Sequence, residues 1–189
     1  LTAMPAENVA HAVVLHDNNL HVLGGSITGV EGFTHYVYDI ATNSWESAAP
    51  LLTAVHYAAA ASDGQYIYVM GGNTTNLITV QRYDPAADVW TEAPIMDMGR
   101  GGPGAFFDGV NIWAVGGGWS TYEASTEYFD GYRWRSGPAM NVGARTLGVA
   151  FGGGMALKAG GWNSSYLDSA ETLTISCQRF VYLPTVLKE

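Results

Sequence analysis

The strongest constraint on this chain is a pair of glycines that recurs four times at nearly constant spacing. Each pair closes a short apolar run, and the first glycines of successive pairs lie 47, 45 and 44 residues apart. A fixed period of this length is typical of a chain built from repeated supersecondary units that stack on one another. The pairs are Gly24 and Gly25, Gly71 and Gly72, Gly116 and Gly117, and Gly160 and Gly161.

Three further landmarks keep the same period. Prolines recur after 45, 44, 44 and 46 residues, and in three units an aromatic residue followed by aspartate precedes a tryptophan by five or seven positions. The landmarks divide the chain into units of about 1–49, 50–93, 94–137 and 138–184. The prolines are Pro5, Pro50, Pro94, Pro138 and Pro184, the aromatic residues are Tyr38, Tyr83 and Phe129, and the tryptophans are Trp45, Trp90 and Trp134.

The fourth unit keeps the spacing but loses the landmark side chains. Counting back four residues from Pro184 reaches Phe180, where the other units have tryptophan. Counting back seven more reaches Leu173, where they have tyrosine or phenylalanine. We therefore predict that this segment forms the same strands as the other units, with Phe180 in the tryptophan position.

Each unit is predicted to form four short antiparallel strands. Dipeptides such as Asp63-Gly64 and Asp108-Gly109 favour tight hairpins between the first two strands. No segment has the sustained 3.6-residue periodicity of a helix. A four-stranded sheet of this size cannot bury both faces alone, but radial stacking of such sheets buries them. The sequence therefore predicts an all-β fold of four blades of a β-propeller.

A double glycine, a spaced tyrosine and then a tryptophan at this period resemble the Kelch repeat over nearly the whole chain. The resemblance, to the superfamily that includes the central domain of galactose oxidase, implies an innermost first strand and glycines that admit the neighbouring blade. Kelch propellers usually have about five to seven blades, so part of a larger propeller is expected before a small closed ring. An open arc would expose two blade faces, which leaves self-association as a third arrangement.

The resemblance and the loop positions imply a binding scaffold whose ligand, a protein or a glycan, contacts one loop face. One candidate set is a ring that opens the innermost strands and could hold a carboxylate or sugar acid, or instead bond carbonyls of the neighbouring blade. The other set follows the third and fourth glycine pairs and could stack on a sugar ring, anchor a protein partner or simply cover the blade edge. The ring is His11, His56, Arg100 and Arg145, and the loop set is Trp119, Tyr122, Trp162, Asn163 and Tyr166.

An enzyme is the alternative. A sugar-acid mutarotase or epimerase of the Kelch type would need acid and base groups at the channel mouth, for which Glu7 and Asp97 join the ring residues as candidates. A galactose-oxidase-type copper site would need a tyrosine cross-linked to cysteine and two histidines. The single cysteine, Cys177, lies in the degenerate unit, and no histidine follows His56. The sequence favours binding without catalysis.

Composition narrows the partners. Seventeen acidic residues against eight basic ones give a formal charge of −9, which disfavours nucleic acid. No apolar run approaches the ~20 residues of a membrane span. The five histidines lie in the first 56 residues without the cysteines or spaced carboxylates of a metal site, so we predict neither metal nor cofactor. Composition favours an extracellular or periplasmic setting.

Overall fold

The computed structural model describes residues 1–73, 75–176 and 179–183, with the backbone alone for Ser176 and residues 179–183. Its 18 named strands are joined by turns and loops, and no helix occurs in these ranges. No described segment forms a helix that could cross a membrane. Cys177 and Pro184 lie outside the described residues.

Sixteen of the strands form four antiparallel sheets of four, here called blades 1 to 4. A small hairpin of two strands interrupts the long loop of blade 1. The prediction of an all-β fold built from four-stranded blades is confirmed. Blade 1 contains β1 (Ala12–His16), β2 (Asn19–Leu23), β5 (His35–Asp39) and β6 (Ser44–Ser47), with β3 (Ser26–Ile27) and β4 (Val30–Glu31) forming the hairpin. Blade 2 contains β7 (Ala59–Ser62), β8 (Ile67–Met70), β9 (Val80–Asp84) and β10 (Val89–Ala93). Blade 3 contains β11 (Gly104–Phe107), β12 (Ile112–Val115), β13 (Thr126–Phe129) and β14 (Trp134–Ser136). Blade 4 contains β15 (Gly148–Gly152), β16 (Met155–Ala159), β17 (Ala170–Ser176) and β18 (Arg179–Leu183).

The first strands of successive blades lie side by side at the centre, in the order β1, β7, β11 and β15. β15 and β1 do not pack against each other as these neighbours do. The blades therefore form an open arc of a propeller, and the small closed ring is not formed.

An apolar core fills each of the three spaces between blades. Between blades 1 and 2 it includes Leu23 and Trp90, and between blades 2 and 3 it includes Met70 and Trp134. The third core contains Trp113, which is fully buried. Because the side chains of a strand alternate between faces, each inner blade contributes to two cores.

The glycine pairs bring neighbouring blades into backbone contact. Each pair adopts positive φ, and the second glycine of the first three pairs donates its N–H to a carbonyl of the next blade. A Cβ on Gly116 would lie 2.7 Å from the carbonyl oxygen of Ala144, closer than real Cβ atoms approach. A Cβ on Gly160 would meet nothing closer than the Leu167 carbonyl of its own blade, at 3.5 Å. The three interblade bonds, all 2.7 Å, join Gly25 to Val55, Gly72 to Arg100 and Gly117 to Ala144.

A second set of backbone hydrogen bonds, here called the central ladder, links the entrances of the inner strands. Its members share the left-handed region, with φ of 56°, 53°, 65° and 50°. Each N–H donates to the carbonyl of the preceding member, at 2.8, 2.9 and 2.7 Å in turn. The members are Ala10, Tyr57, Gly102 and Thr146.

The landmark tryptophans fasten blades 1 to 3 to the segments that enter them. Their indole N–H groups donate to backbone carbonyls, at 3.1, 2.9 and 2.7 Å. The Tyr83 hydroxyl donates to Asp88 at 2.6 Å, and burial above all raises the Tyr83 pKa. The donor and acceptor pairs are Trp45 with Thr2, Trp90 with Ala49, and Trp134 with Pro94.

The backbone register of blade 4 departs from the spacing prediction. In blades 1 to 3 the landmark tyrosine or phenylalanine lies directly opposite the tryptophan. Leu173 instead lies opposite Tyr182, while Phe180 lies opposite Ile175. The hairpin of β17 and β18 is longer than its counterparts, so counting back from Pro184 misplaced the tryptophan position by two residues. The side chains of Phe180 and Tyr182 lie outside the described residues.

Candidate binding surface

The topology separates the loops of each blade into two groups. The turns that join the first strand of a blade to the second, and the third to the fourth, lie on one face of the arc. The loops between second and third strands, and those between blades, lie on the opposite face, which we call the loop face. All nine candidate ligand residues lie on or next to this loop face. Each comes shortly after a glycine pair or a repeat proline in the chain, where the second strand of a blade has ended or the first has not yet begun.

Aromatic rings and one guanidinium make a continuous line of contacts across the loop face. The ring centroids of His56 and Tyr57 are 5.0 Å apart, and those of Tyr57 and Trp119 are 4.9 Å apart. The Arg145 guanidinium carbon lies 3.7 Å from the Trp119 ring centroid and 5.9 Å from that of Tyr122. Such a cation over an indole face is electrostatically favourable. This line, the aromatic row, comprises His56, Tyr57, Trp119, Arg145, Tyr122, Trp162 and Tyr166.

Trp119 is held at the middle of the aromatic row by its backbone. Its N–H donates to Oδ1 of Asn76, in the blade 2 loop, at 2.8 Å. Gly118 precedes it with φ 92°, which redirects the chain after the glycine pair. Trp119 thus contacts elements of blades 2, 3 and 4, and it remains half-buried.

The blade 4 end of the aromatic row is tied to blade 3 through Tyr122. Its hydroxyl oxygen accepts the indole N–H of Trp162 at 3.2 Å. Hydrogen bonds from Ser164 and Trp162 lower the pKa of Tyr122. Tyr166 packs edge-on against Trp162 with its ring centroid 4.9 Å away, yet it is 90% exposed.

Two backbone bonds and one side chain fix the loop that carries Trp162. Arg145 and Trp162 exchange N–H to carbonyl hydrogen bonds at 3.1 and 2.9 Å. The Asn163 side-chain amide donates to the Gly143 carbonyl at 2.7 Å, so this amide holds the loop against the segment that enters blade 4. The arrangement gives Trp162 and Tyr166 a defined position on the surface.

Arg100 departs from the proposed ligand ring. Its side chain is completely buried, and it donates to Glu127, to the carbonyls of Gly116 and Ser125, and to the Ser125 hydroxyl. Burial lowers the pKa of Arg100 while Glu127 opposes that shift. As in the structural alternative, the basic residue bonds backbone carbonyls, but these belong to blade 3, which Arg100 itself enters, and not to a neighbouring blade. Arg100 is therefore not available to a ligand.

The other ring members do not gather around one anion. His56 Nδ1 lies 3.5 Å from the Glu31 carboxylate, and Arg145 lies over Trp119. His11 borders a cavity of about 130 Å³ at the central ladder. One nitrogen in each of His11, His56 and Arg145 is buried without a protein hydrogen-bond partner. Of the enzyme candidates, Glu7 and Asp97 have exposed side chains.

In blades 2 to 4 a polar side chain stands two residues before the landmark position of Tyr83, Phe129 or Leu173, and the sequence-based predictions did not include it. Gln81 accepts from the Thr53 N–H and donates to the Thr53 carbonyl, at 2.9 and 3.1 Å. Glu127 accepts the Asp97 N–H, and Glu171 accepts those of Asn141 and Val142. All three are buried and fasten the link that enters their blade. The signal was a glutamate or glutamine repeated after 46 and 44 residues.

A buried histidine pair, His21 and His35, lies between blades 1 and 2, where its rings pack against Tyr83. His35 Nδ1 donates to the Ala49 carbonyl at 3.0 Å, so its Nε2 accepts from His21 Nδ1 at 2.8 Å. Burial first, then the charges of His35 and His16, lower the pKa of His21 from 6.5 to about 4. Burial also lowers the pKa of His35. His16 and His21 border a cleft of about 650 Å³, but the described residues contain no group of three metal-ligating side chains.

Comparison with known protein families places the repeat among Kelch motifs. The Kelch motif model matches residues 54–97. The Kelch-like protein terF of Aspergillus terreus is 35% identical over 104 residues, which are 48% of this chain and 22% of terF. Kelch-like protein 36 of Rattus norvegicus is 24% identical over 154 residues, which are 73% of this chain and 25% of that protein. The chain thus spans about a quarter of the length of these relatives.

Among solved structures, one described as "Structure of YjhT" has the same fold. It superposes with a TM-score of 0.79 and 16% sequence identity, covering all of this chain and 68% of the other. At this identity the likeness concerns the fold. A structure with about half as much chain again contains the same arc of blades.

Proposed function

Since the Kelch motif and the Kelch-like relatives assign this chain to the Kelch-repeat family, we propose that it is a protein-binding scaffold whose partner lies on the aromatic row. Kelch-repeat propellers are typically protein-interaction scaffolds. The observation that carries the proposal is the continuity of the row, which crosses blades 2, 3 and 4 without a gap in contact.

The residue types of the aromatic row support a protein partner. Tryptophan, tyrosine and arginine are the side chains most enriched among residues that dominate protein–protein binding energy. Trp119 and Trp162 are fixed by backbone and side-chain bonds, so a partner would order few additional rotamers on binding. Tyr166 adds a large exposed ring at the end of the row.

The mutarotase alternative lacks support from the channel mouth. Arg100, one of its essential candidates, is buried and hydrogen-bonded within blade 3. His56 lies toward Glu31, and Arg145 lies over Trp119. Among the described residues, no observation favours this second function.

The test is to select binders from a random-peptide phage library on the wild-type chain and to measure how strongly the selected peptides bind each variant. Peptides selected on the wild-type chain should bind at least tenfold more weakly to Trp119→Ala and to Tyr166→Ala. Tyr166→Ala keeps the test valid if Trp119→Ala unfolds, because Tyr166 is 90% exposed. Tyr132→Ala is the matched control, since Tyr132 is 88% exposed in the hairpin turn between β13 and β14, on the side of blade 3 opposite the loop face.

Equal binding of the selected peptides to the wild type and both row variants would contradict the proposal. So would binding lost only in Tyr132→Ala. A parallel screen of immobilised glycans separates the other ligand class: a glycan that binds the wild type and not Tyr166→Ala, with no peptide selected, would replace the protein partner by a carbohydrate.

A further inference from the structure

Blades 1 and 2 enclose a cleft on the face opposite the loop face, here called the turn-face cleft. Its volume is about 650 Å³, which is enough for a small molecule or for a single side chain of a partner. Its walls come from β6 and from the turns that join β1 to β2, β7 to β8 and β9 to β10. Both walls therefore consist of described residues inside the arc.

The turn-face cleft is acidic. The carboxylates of Asp17, Glu46 and Asp88 line it, and none of the described residues that line it is lysine or arginine. Burial, then the hydrogen bond to Asp88, then the charges of Asp88 and Glu46 raise the pKa of Tyr83, which forms part of the wall. The negative field of the carboxylates thus extends into the cleft. Such a field attracts cations.

A buried imidazole at the cleft adds a hydrogen-bond acceptor that has no partner. His21 is 4% exposed, and its Nδ1 donates to Nε2 of His35 at 2.8 Å. Burial above all lowers the pKa of His21 to about 4, so the ring is neutral at neutral pH and its Nε2 is an acceptor. His35 does not border the cleft whereas His21 does, which leaves the Nε2 edge of the ring to the cleft. Among the described residues nothing donates to this nitrogen.

The acceptors of the cleft stand on separate elements. His21 lies on β2, Glu46 on β6 and Asp88 in the turn from β9 to β10. Oδ1 of Asp88 accepts from the Tyr83 hydroxyl and the Ala49 N–H, and its second oxygen has no donor among the described residues. This arrangement provides three acceptors that approach from different sides.

The spread of these acceptors decides which cation fits. A primary ammonium group has three N–H donors that diverge from one atom, whereas a guanidinium donates within one plane and suits a single carboxylate. Three acceptors on separate elements therefore favour the ammonium group. A metal ion fits less well, because the described residues contain no group of three metal-ligating side chains.

We propose that the turn-face cleft binds a primary alkylammonium group, as carried by a lysine side chain or by a free diamine. The ammonium would donate to Nε2 of His21 and to the carboxylates of Glu46 and Asp88. Its alkyl chain would lie along Pro85 and Ala86, which also line the cleft. The site lies on the face opposite the aromatic row and goes beyond the proposed scaffold function.

The test is a nuclear magnetic resonance titration of the chain, with isotope-labelled histidine, at neutral pH. The probe is pentylamine, and the His21 signal is identified by its absence in His21→Gln. Pentylamine should move the Nε2 resonance of His21, because this nitrogen gains a hydrogen bond. Pentanol, which has the same length and no charge, should leave the resonance in place. Added salt should weaken the binding of pentylamine.

Glu46→Gln tests the carboxylate contribution without endangering the fold. The Glu46 side chain is exposed and forms no hydrogen bond or ion pair with a described residue. The variant should bind pentylamine about fivefold more weakly than the wild type, as expected for one partly exposed ion pair. Glu92→Gln is the matched control, since it removes an exposed carboxylate of β10 that lies outside the cleft. It should bind pentylamine as the wild type does.

Three outcomes overturn the proposal. The first is a His21 signal that pentylamine does not move even at high concentration. The second is equal weakening by Glu46→Gln and Glu92→Gln, which would mean attraction to the net charge of the chain alone. The third is a response to Zn²⁺ at His16 and His21 without a response to pentylamine, which would replace the ammonium site by a metal site.

Two further probes distinguish the sources of the ammonium group, and binding of either supports the site. N-acetyl-lysine methylamide represents a lysine side chain in a peptide, and cadaverine represents a free diamine. Cadaverine that binds no better than the lysine derivative assigns the cleft to a lysine of a protein. Much tighter binding of cadaverine assigns it to a free diamine.

Discussion

The Arg100 guanidinium donates from both Nε and Nη2 to a single carboxylate oxygen of Glu127, at 3.0 and 2.9 Å, and neither side chain has appreciable contact with solvent. The other carboxylate oxygen accepts the N–H of Asp97, in the link from blade 2. Glu127 thus joins the start of blade 3 to its third strand. Removing one member of an ion pair this deeply buried would leave an uncompensated charge in the protein interior.

We predict that Glu127→Ala lowers the free energy of unfolding by about 3–5 kcal/mol, because it leaves a buried guanidinium unpaired. The double variant Arg100→Met, Glu127→Ala should cost less than the sum of its single variants, as urea denaturation can measure. Arg135→Ala is the control, since the Arg135 side chain is exposed and its pair with Asp130 is screened by solvent, so its removal should change stability far less. Equal effects of Glu127→Ala and Arg135→Ala would refute the prediction.

Acid should destabilise the packing of blade 1 against blade 2 at pH values above those at which carboxylates titrate. The folded-state pKa of His21, about 4, lies below the 6.5 of the unfolded chain, so the unfolded state takes up the proton first as pH falls. Stability is full above pH 6.5 and declines toward pH 4. Between pH 7 and 5 the loss should be on the order of 2 kcal/mol.

The measurement is the urea midpoint of wild type and His21→Gln at both pH values. Gln can still donate to His35 but does not titrate, so the variant should lose much of the pH dependence. His11→Gln should retain it, because His11 borders the central cavity and not the histidine pair. An unchanged pH dependence in His21→Gln would show that other groups control acid stability.

Two glycines with the same backbone conformation should respond differently to a methyl group. Gly116 and Gly160 have φ of 61° and 60°, so alanine at either costs about 1–2 kcal/mol of strain. At Gly116 the new Cβ also collides with the Ala144 carbonyl, whereas at Gly160 it does not. Gly116→Ala should therefore lower the melting temperature clearly more than Gly160→Ala, measured in dilute solution. Equal shifts would mean that strain alone decides.

The landmark tryptophans should differ according to their neighbours. Trp90 is buried between blades, and Trp90→Ala should cost about 3–5 kcal/mol. Trp45 is covered on its outer side by the segment containing Thr2 and stays half-exposed, so Trp45→Ala should cost less than about 2 kcal/mol. Chemical denaturation compares the two, and a larger loss at Trp45 would contradict the burial argument.

The repeat period predicted the blades because glycine pairs and tryptophans report backbone constraints directly. A Gly-Gly pair at fixed spacing requires close blade contact, which the Gly72 to Arg100 bond displays. Spacing failed at Phe180, because a longer hairpin between β17 and β18 shifts the cross-strand pairing, so that Leu173 faces Tyr182.

The candidate site was less predictable than the fold. Position in the repeat cannot distinguish Arg100, which turns inward to Glu127, from Arg145, which turns outward over Trp119. The difference depends on which side chain the neighbouring strand and loop supply. The aromatic row also includes Tyr57, a ladder residue that no loop motif singles out. Contacts between loops of different blades are set in three dimensions and leave little trace in spacing.

The central ladder has an evolutionary consequence. Its bonds run between peptide groups, and Ala10, Tyr57, Gly102 and Thr146 share little beyond a left-handed backbone. A gene segment encoding one whole unit could therefore be duplicated, deleted or recombined, and the blade it encodes would form the same backbone hydrogen bonds with its new neighbours. Loops on the face can then diversify in sequence while the count of blades changes by whole numbers.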